Sequence, residues 1–256
     1  MPPPSTSQLL ALAVAAAGAA AWLIYLRRRR RATCGAAAAC ACTRADVHAS
    51  TSPKEEAPSA TLSAGSTVTL VPPTMCEALQ IEYSIHKPSR LLRRDVELVF
   101  RPDLDDAYKA DPRGAAAGFD KETFLREHLL AVPTWQPSEQ DLSKMSFVVN
   151  EERRGLLKSF DAWAAAVRPR LEGYWSDVSC PMEGHSRYGT PTSVIYNELE
   201  GLTSLLRYDS VPIGCCGIVL HPRWQRRAYP VTFFTLAPPE KLREVIEAVE
   251  REKAAA

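Results

Sequence analysis

Apolar residues recur at three- and four-residue spacing across 150–168. There Leu156, Leu157, Phe160, Trp163, Ala164 and Val167 fall on one face, and the periodicity predicts a helix. Pro169 strains its last turn and Gly173 marks the stop. A second helix is expected over 89–100: Leu92, Val96 and Val99 share a face, Ser89 stands where a capping hydroxyl belongs, and Arg101-Pro102 closes it. A third is expected over 239–253, with Leu242, Val245, Ile246 and Val249 facing the core. Short apolar runs at 67–71, 129–135, 174–178, 217–220 and 229–236 predict strands. The first is stopped by Pro72-Pro73, and the last two are joined by the basic hairpin loop His221-Pro222-Arg223-Trp224-Gln225-Arg226-Arg227. The charged stretch 104–121 predicts an exposed loop. Strands and helices mix without regular alternation, so the expected class is α+β.

Upstream the pattern changes. Residues 9–26 are almost wholly apolar and end in Trp22-Leu23-Ile24-Tyr25-Leu26, with five arginines at 27–31. A helix of about 18–20 residues just crosses a bilayer core. Flanking positive charge stays on the cytosolic side. The expectation is therefore an N-terminal transmembrane helix, an uncleaved anchor touching the membrane through residues 8–26. A cleaved secretory peptide would carry its charge ahead of the apolar core, and a mitochondrial presequence would spread its arginines along an amphipathic helix. Residues 32–66, rich in Ala, Ser, Thr and Pro, read as a disordered linker. Cys34, Cys40 and Cys42 read as incidental there, with palmitoylation the alternative. Three segments result: 1–31, the anchor and its basic flank; 32–66, the linker; 67–256, the folded domain.

Composition narrows the function classes. With 46% hydrophobic residues in 256, a core is affordable. A net charge of +1 argues against bulk electrostatic capture of nucleic acid. No G-x-G-x-x-G and no Walker glycine loop occurs, so nucleotide binding has no local support. Seven cysteines include no C-x-x-C pair, which removes zinc ribbons and thioredoxin-type sites.

The candidate chemistry centres on Cys215-Cys216, which follow Gly214 and precede a strand. Neighbouring strand residues point to opposite faces, so one thiol can pack inward while the other faces a cleft. Gly214 admits close approach of a ligand. A thiolate is a soft ligand for a soft or borderline transition metal. Read alone, the pair points first to core packing, because free cysteine is among the most buried residue types. His221 follows six residues after Cys215, but no Asp or Asn completes a papain-like set, and a surface histidine is expected. Arg223, Arg226 and Arg227 with Trp224 read as a solvated turn, with an acidic partner or a phosphate as the functional alternative.

Four motifs in order resemble the methylmalonic aciduria and homocystinuria type D protein family. They are Leu171-Glu172-Gly173-Tyr174-Trp175-Ser176-Asp177, then Ile213-Gly214-Cys215-Cys216, then His221-Pro222-Arg223-Trp224, and, upstream, Leu91-Leu92-Arg93-Arg94-Asp95 with Phe100-x-Pro102. The resemblance implies a nitroreductase-like, mixed α/β domain of the α+β class that binds no flavin and catalyses no reaction of its own. It implies a heterodimer with the type C chaperone, which strips the upper ligand from incoming cobalamin. It also implies delivery toward methionine synthase and methylmalonyl-CoA mutase. The family's cobalt-coordinating cysteine maps onto Cys215, flanked by Gly214 and by Cys216 as the inward neighbour. Tyr174 and Trp175 are expected to pack beside that site. The N-terminal anchor departs from the family's presequence and suits a cytosol-facing mitochondrial or a cytoplasmic location, with the endoplasmic reticulum membrane as alternative. Two other readings stay open: a flavin-dependent oxidoreductase on the same fold, and a membrane-tethered scaffold with purely structural cysteines.

Overall fold

The computed structural model describes residues 66–213 and 216–255. A five-stranded sheet runs through the protein. Its strands are β1 (Val68–Cys76), β2 (Ile81–Lys87), β3 (Leu130–Pro137), β4 (Ser176–Val178) and β7 (Ala228–Thr235), in the order β1-β2-β3-β7-β4. Every pairing is antiparallel. The class is α+β as expected: helices and antiparallel strands are mixed, and no pair of neighbouring strands requires a parallel crossover. β5 (Ser210–Ile213) and β6 (Cys216–Val219) form a separate two-stranded ribbon. The strands expected at 217–220 and 229–236 therefore belong to different sheets and are not partners in one hairpin.

The central strands are covered on both faces, which is why their sequences read as continuous apolar runs. Alternate residues of β3 and β7 serve opposite layers. Val132 and Phe233 pack with α4 (Phe147–Val167) and α6 (Pro239–Ala255), through Phe160, Trp163, Leu242 and Ile246. Ala131 and Phe234 pack with α1 (Arg90–Val99), α2 (Arg101–Ala110) and α3 (Lys121–His128), through Leu92, Val96, Leu104 and Phe124. The apolar faces expected for α1, α4 and α6 are the buried ones. Ser89 caps α1, its hydroxyl accepting from the Leu92 N–H at 3.3 Å.

Three local expectations are corrected. The stretch 104–121 is not a loop: α2 runs to Ala110, because Pro102 sits in that helix's first turn, where its missing N–H costs nothing. β1 continues through Pro72-Pro73 to Cys76, since it is an edge strand, and its register shifts between Val71 and Thr74 accommodate the two prolines. The expected membrane-spanning helix finds no support among the described residues. No helix among the described residues is long and apolar enough to cross a membrane, and segment 9–26 lies outside them. α4 has the length, with 21 residues, but carries Glu151, Glu152, Arg153, Arg154, Lys158 and Asp161. The linker assigned to 32–66 also falls outside the described residues, apart from Ser66.

The ribbon and its cavity as candidate functional site

The ribbon pairs Ser210 with Val219 and Ile213 with Cys216. Gly214 and Cys215, which join its two strands in the chain, lie outside the described residues, and of Cys216 only the backbone pairing is described. The frame around them is defined. α5 (Glu198–Leu206) backs the ribbon, and Leu202 of α5 packs with Val219, Ala228 and Trp135. A Cβ on Gly217 would fall 2.8 Å from Leu199 Cδ2, so a glycine there brings the ribbon close onto the helix.

His221 leaves the ribbon and is 2% exposed, not a surface histidine. Its Nδ1 accepts from the backbone N–H groups of Arg223 (3.2 Å) and Trp224 (3.3 Å). The proton therefore sits on Nε2, which donates to Glu82 Oε1 at 2.8 Å. The ring stacks on Trp224 with centroids 4.3 Å apart, and Trp135 (5.1 Å) and Tyr208 (5.7 Å) close round it. His221 thus ties the base of the ribbon to β2 and is a framework residue.

Beside the ribbon lies a cavity of about 220 Å³. Glu198, Leu202, Gly217, Val219, Arg226 and Tyr229 are among its lining residues. Glu198 begins α5 after the Asn197 cap, whose side chain accepts from the Glu200 N–H. Thr232 of β7 donates to Glu198 Oε1 at 2.5 Å, while Oε2 is buried without a partner. Burial pushes this carboxyl up to about 7 against the opposing Thr232 hydrogen bonds. The Tyr229 hydroxyl is likewise buried and unpartnered, its pKa raised first by burial and then by Cys180 and Glu198, against the opposing pull of Arg153 and Arg187. No sequence signal marked Glu198, Tyr229 or Thr232: an acid in a helix's first turn ordinarily serves the helix dipole in water.

Neither Tyr174 nor Trp175 lines the cavity or packs with the described residues of the ribbon, and Cys215, which they were expected to flank, lies outside the described residues. Trp175 meets Phe100 edge-on at 5.4 Å, and its carbonyl accepts from the Leu236 N–H and the Thr235 hydroxyl at the far end of β7. The ribbon's base packs round Ala228, and the cavity reaches along β7 to Glu198, which Thr232 holds. The motif 171–177 frames the fold instead. Asp177, 1% exposed, accepts from Ser186 Oγ (2.5 Å) and from the N–H groups of Tyr188 (3.0 Å) and Gly189 (3.1 Å), fixing the loop after β4.

The two described free thiols are buried. Burial, followed by Glu250, pushes Cys76 up to about 12, which leaves it inert. Among the described residues no group of three or more His, Cys, Asp or Glu could hold a metal ion.

A family model described as methylmalonic aciduria and homocystinuria type D protein matches residues 45–246, most of the chain, with the ribbon and residues 214–216 inside the match. No curated protein matches the chain.

Proposed function

The chain belongs to the methylmalonic aciduria and homocystinuria type D protein family and so has a role in cobalamin metabolism, and on that premise we propose that it is a carrier: it takes processed cobalamin from the type C chaperone through a cobalt–thiolate bond made by Cys215 and passes it on without a reaction of its own. The observation that carries the reading is the family match, which contains Gly214-Cys215, the link between the ribbon's two strands in the chain, and Cys216, the first residue of the second strand. A thiolate suits the task, since it is a soft donor that forms and breaks a bond to a transition metal without rearranging the protein. On transfer the Cys215 thiol would lose its proton to solvent, and its sulfur lone pair would displace the water that occupied that place on cobalt, with no change in the metal's oxidation state. Onward delivery to methionine synthase or toward the mutase reverses the step. Cys216 is the neighbour of the ligand and not a ligand itself, and no flavin is needed.

The test is the visible absorption spectrum of cobalamin mixed with the full chain and the type C partner. The expected result is a new cobalt–sulfur band that is lost in Cys215→Ser and kept in Cys216→Ser. An unchanged spectrum in the wild type overturns the carrier reading. A purified protein that is yellow with bound flavin favours an oxidoreductase.

A further inference from the structure

The cavity beside the ribbon holds an unmatched pair: a buried acceptor, Glu198 Oε2, and a buried hydroxyl, Tyr229 Oη, both without hydrogen-bond partners. Leaving such groups unmade costs about 1–3 kcal/mol each, which marks them as waiting for something. A bare anion is a poor occupant, because Glu198 would face it. A cation is a poor one too, because Arg153 and Arg226 line the same space. Arg153 is already committed, donating to Asn150 Oδ1 (2.8 Å) and the Leu142 carbonyl (2.6 Å). A neutral group that donates and accepts at once satisfies both orphans. The apolar walls of Leu199, Leu202 and Val219 would seat a short methylene stem behind it. A water's share of liquid volume is about 30 Å³, so a space of about 220 Å³ holds more than one or two waters.

We propose that this cavity takes one primary-amide arm from the rim of the corrin ring, its NH₂ donating to Glu198 Oε2 and its carbonyl accepting from the Tyr229 hydroxyl. The inference rests on the carrier reading. Gly217, at the cavity wall, is two residues from Cys215 in the chain, a span of about 7 Å at full extension. The thiol would hold the metal and the cavity would hold the periphery. One bond would then supply exchangeability and the other would supply orientation and selection.

The experiment compares cobalamin with its monocarboxylic acid derivatives, in each of which one amide has become a carboxylate. Each is titrated at pH 8, where Glu198 is ionised, into the full chain with the type C partner, following the cobalt–sulfur band. The expected result is that at least one monoacid binds wild type about tenfold or more weakly than cobalamin, because its carboxylate meets Glu198. In Glu198→Gln, whose amide can donate to a carboxylate, that discrimination should collapse to within about threefold. Tyr229→Phe, which keeps the ring and the fold, should weaken cobalamin itself about fivefold or more. Equal binding of every monoacid by wild type overturns the proposal and leaves the carrier reading intact, as does discrimination that persists unchanged in both variants; the cavity then holds water only. Absence of any cobalt–sulfur band in wild type overturns both readings.

Discussion

His221 Nε2 donates to Glu82 Oε1 at 2.8 Å across 139 residues of chain. The bond is almost wholly hidden from solvent, with the His221 side chain 2% and the Glu82 side chain 12% exposed. It is the polar link between the exit of the ribbon and β2, and it sits inside an aromatic enclosure that keeps water out.

Removing either partner should therefore loosen the ribbon's base. His221→Ala strands the N–H groups of Arg223 and Trp224 as well as the Glu82 carboxylate, and should cost about 2–4 kcal/mol in urea unfolding. Glu82→Gln should cost less, because an amide oxygen still accepts. A double-mutant cycle should return a coupling of about 1 kcal/mol or more. A coupling near zero would show that the pair is not a link.

Glu198 makes stability fall as pH rises. Its carboxyl titrates at about 7 when folded, against an ordinary 4.5. Between those values the unfolded chain releases a proton that the folded protein keeps, so folding weakens with increasing pH and levels off above about 7. Glu198→Gln has no such proton to release. Relative to wild type it should gain up to about 3 kcal/mol between pH 4.5 and pH 8, read from denaturant midpoints. Parallel pH profiles for the two proteins would count against a buried carboxyl.

His86 acts with the opposite sign. Burial pushes it down from 6.5 to about 4, and its ring nitrogens are taken by Ser84 Oγ (2.8 Å) and Thr69 Oγ1 (3.1 Å). The unfolded chain protonates below 6.5 while the folded protein resists, so this contribution is complete above 6.5 and is lost as pH falls toward 4. His86→Gln should flatten the acid limb by up to about 3 kcal/mol. An acid limb of unchanged slope would place the acid sensitivity elsewhere.

Much of the fold was legible where one physical signal dominates. The buried stripes of α1, α4 and α6 follow from periodicity, and the Ser89 cap follows from residue type. α2 was hidden because one buried leucine, Leu104, is too little to make a stripe, and because a proline that opens a helix looks like one that closes it. β1 was cut short because an edge position, which lets a strand carry Pro72-Pro73, is a property of the sheet and not of the segment. At the site, residue type drew attention to cysteine and to His221. The fold makes His221 a tie, and it buries Glu198 against Thr232, 34 residues away in sequence. Tertiary packing that brings α5, β7 and the ribbon together hides that carboxyl, so no local pattern could have announced it. The motif 171–177 was noticed for its identity, while its geometric content, Asp177 holding the loop after β4, needed coordinates.

The prolines of β1 carry a last consequence. An open sheet margin is a template on which a stray chain can add a strand and seed aggregates. Here one margin, β1, lacks the N–H donors of Pro72 and Pro73 and is out of register beside them, and the other, β4, is three residues long. Neither offers a ladder worth extending, so the five-stranded sheet is guarded against zipping edge to edge with a neighbouring molecule.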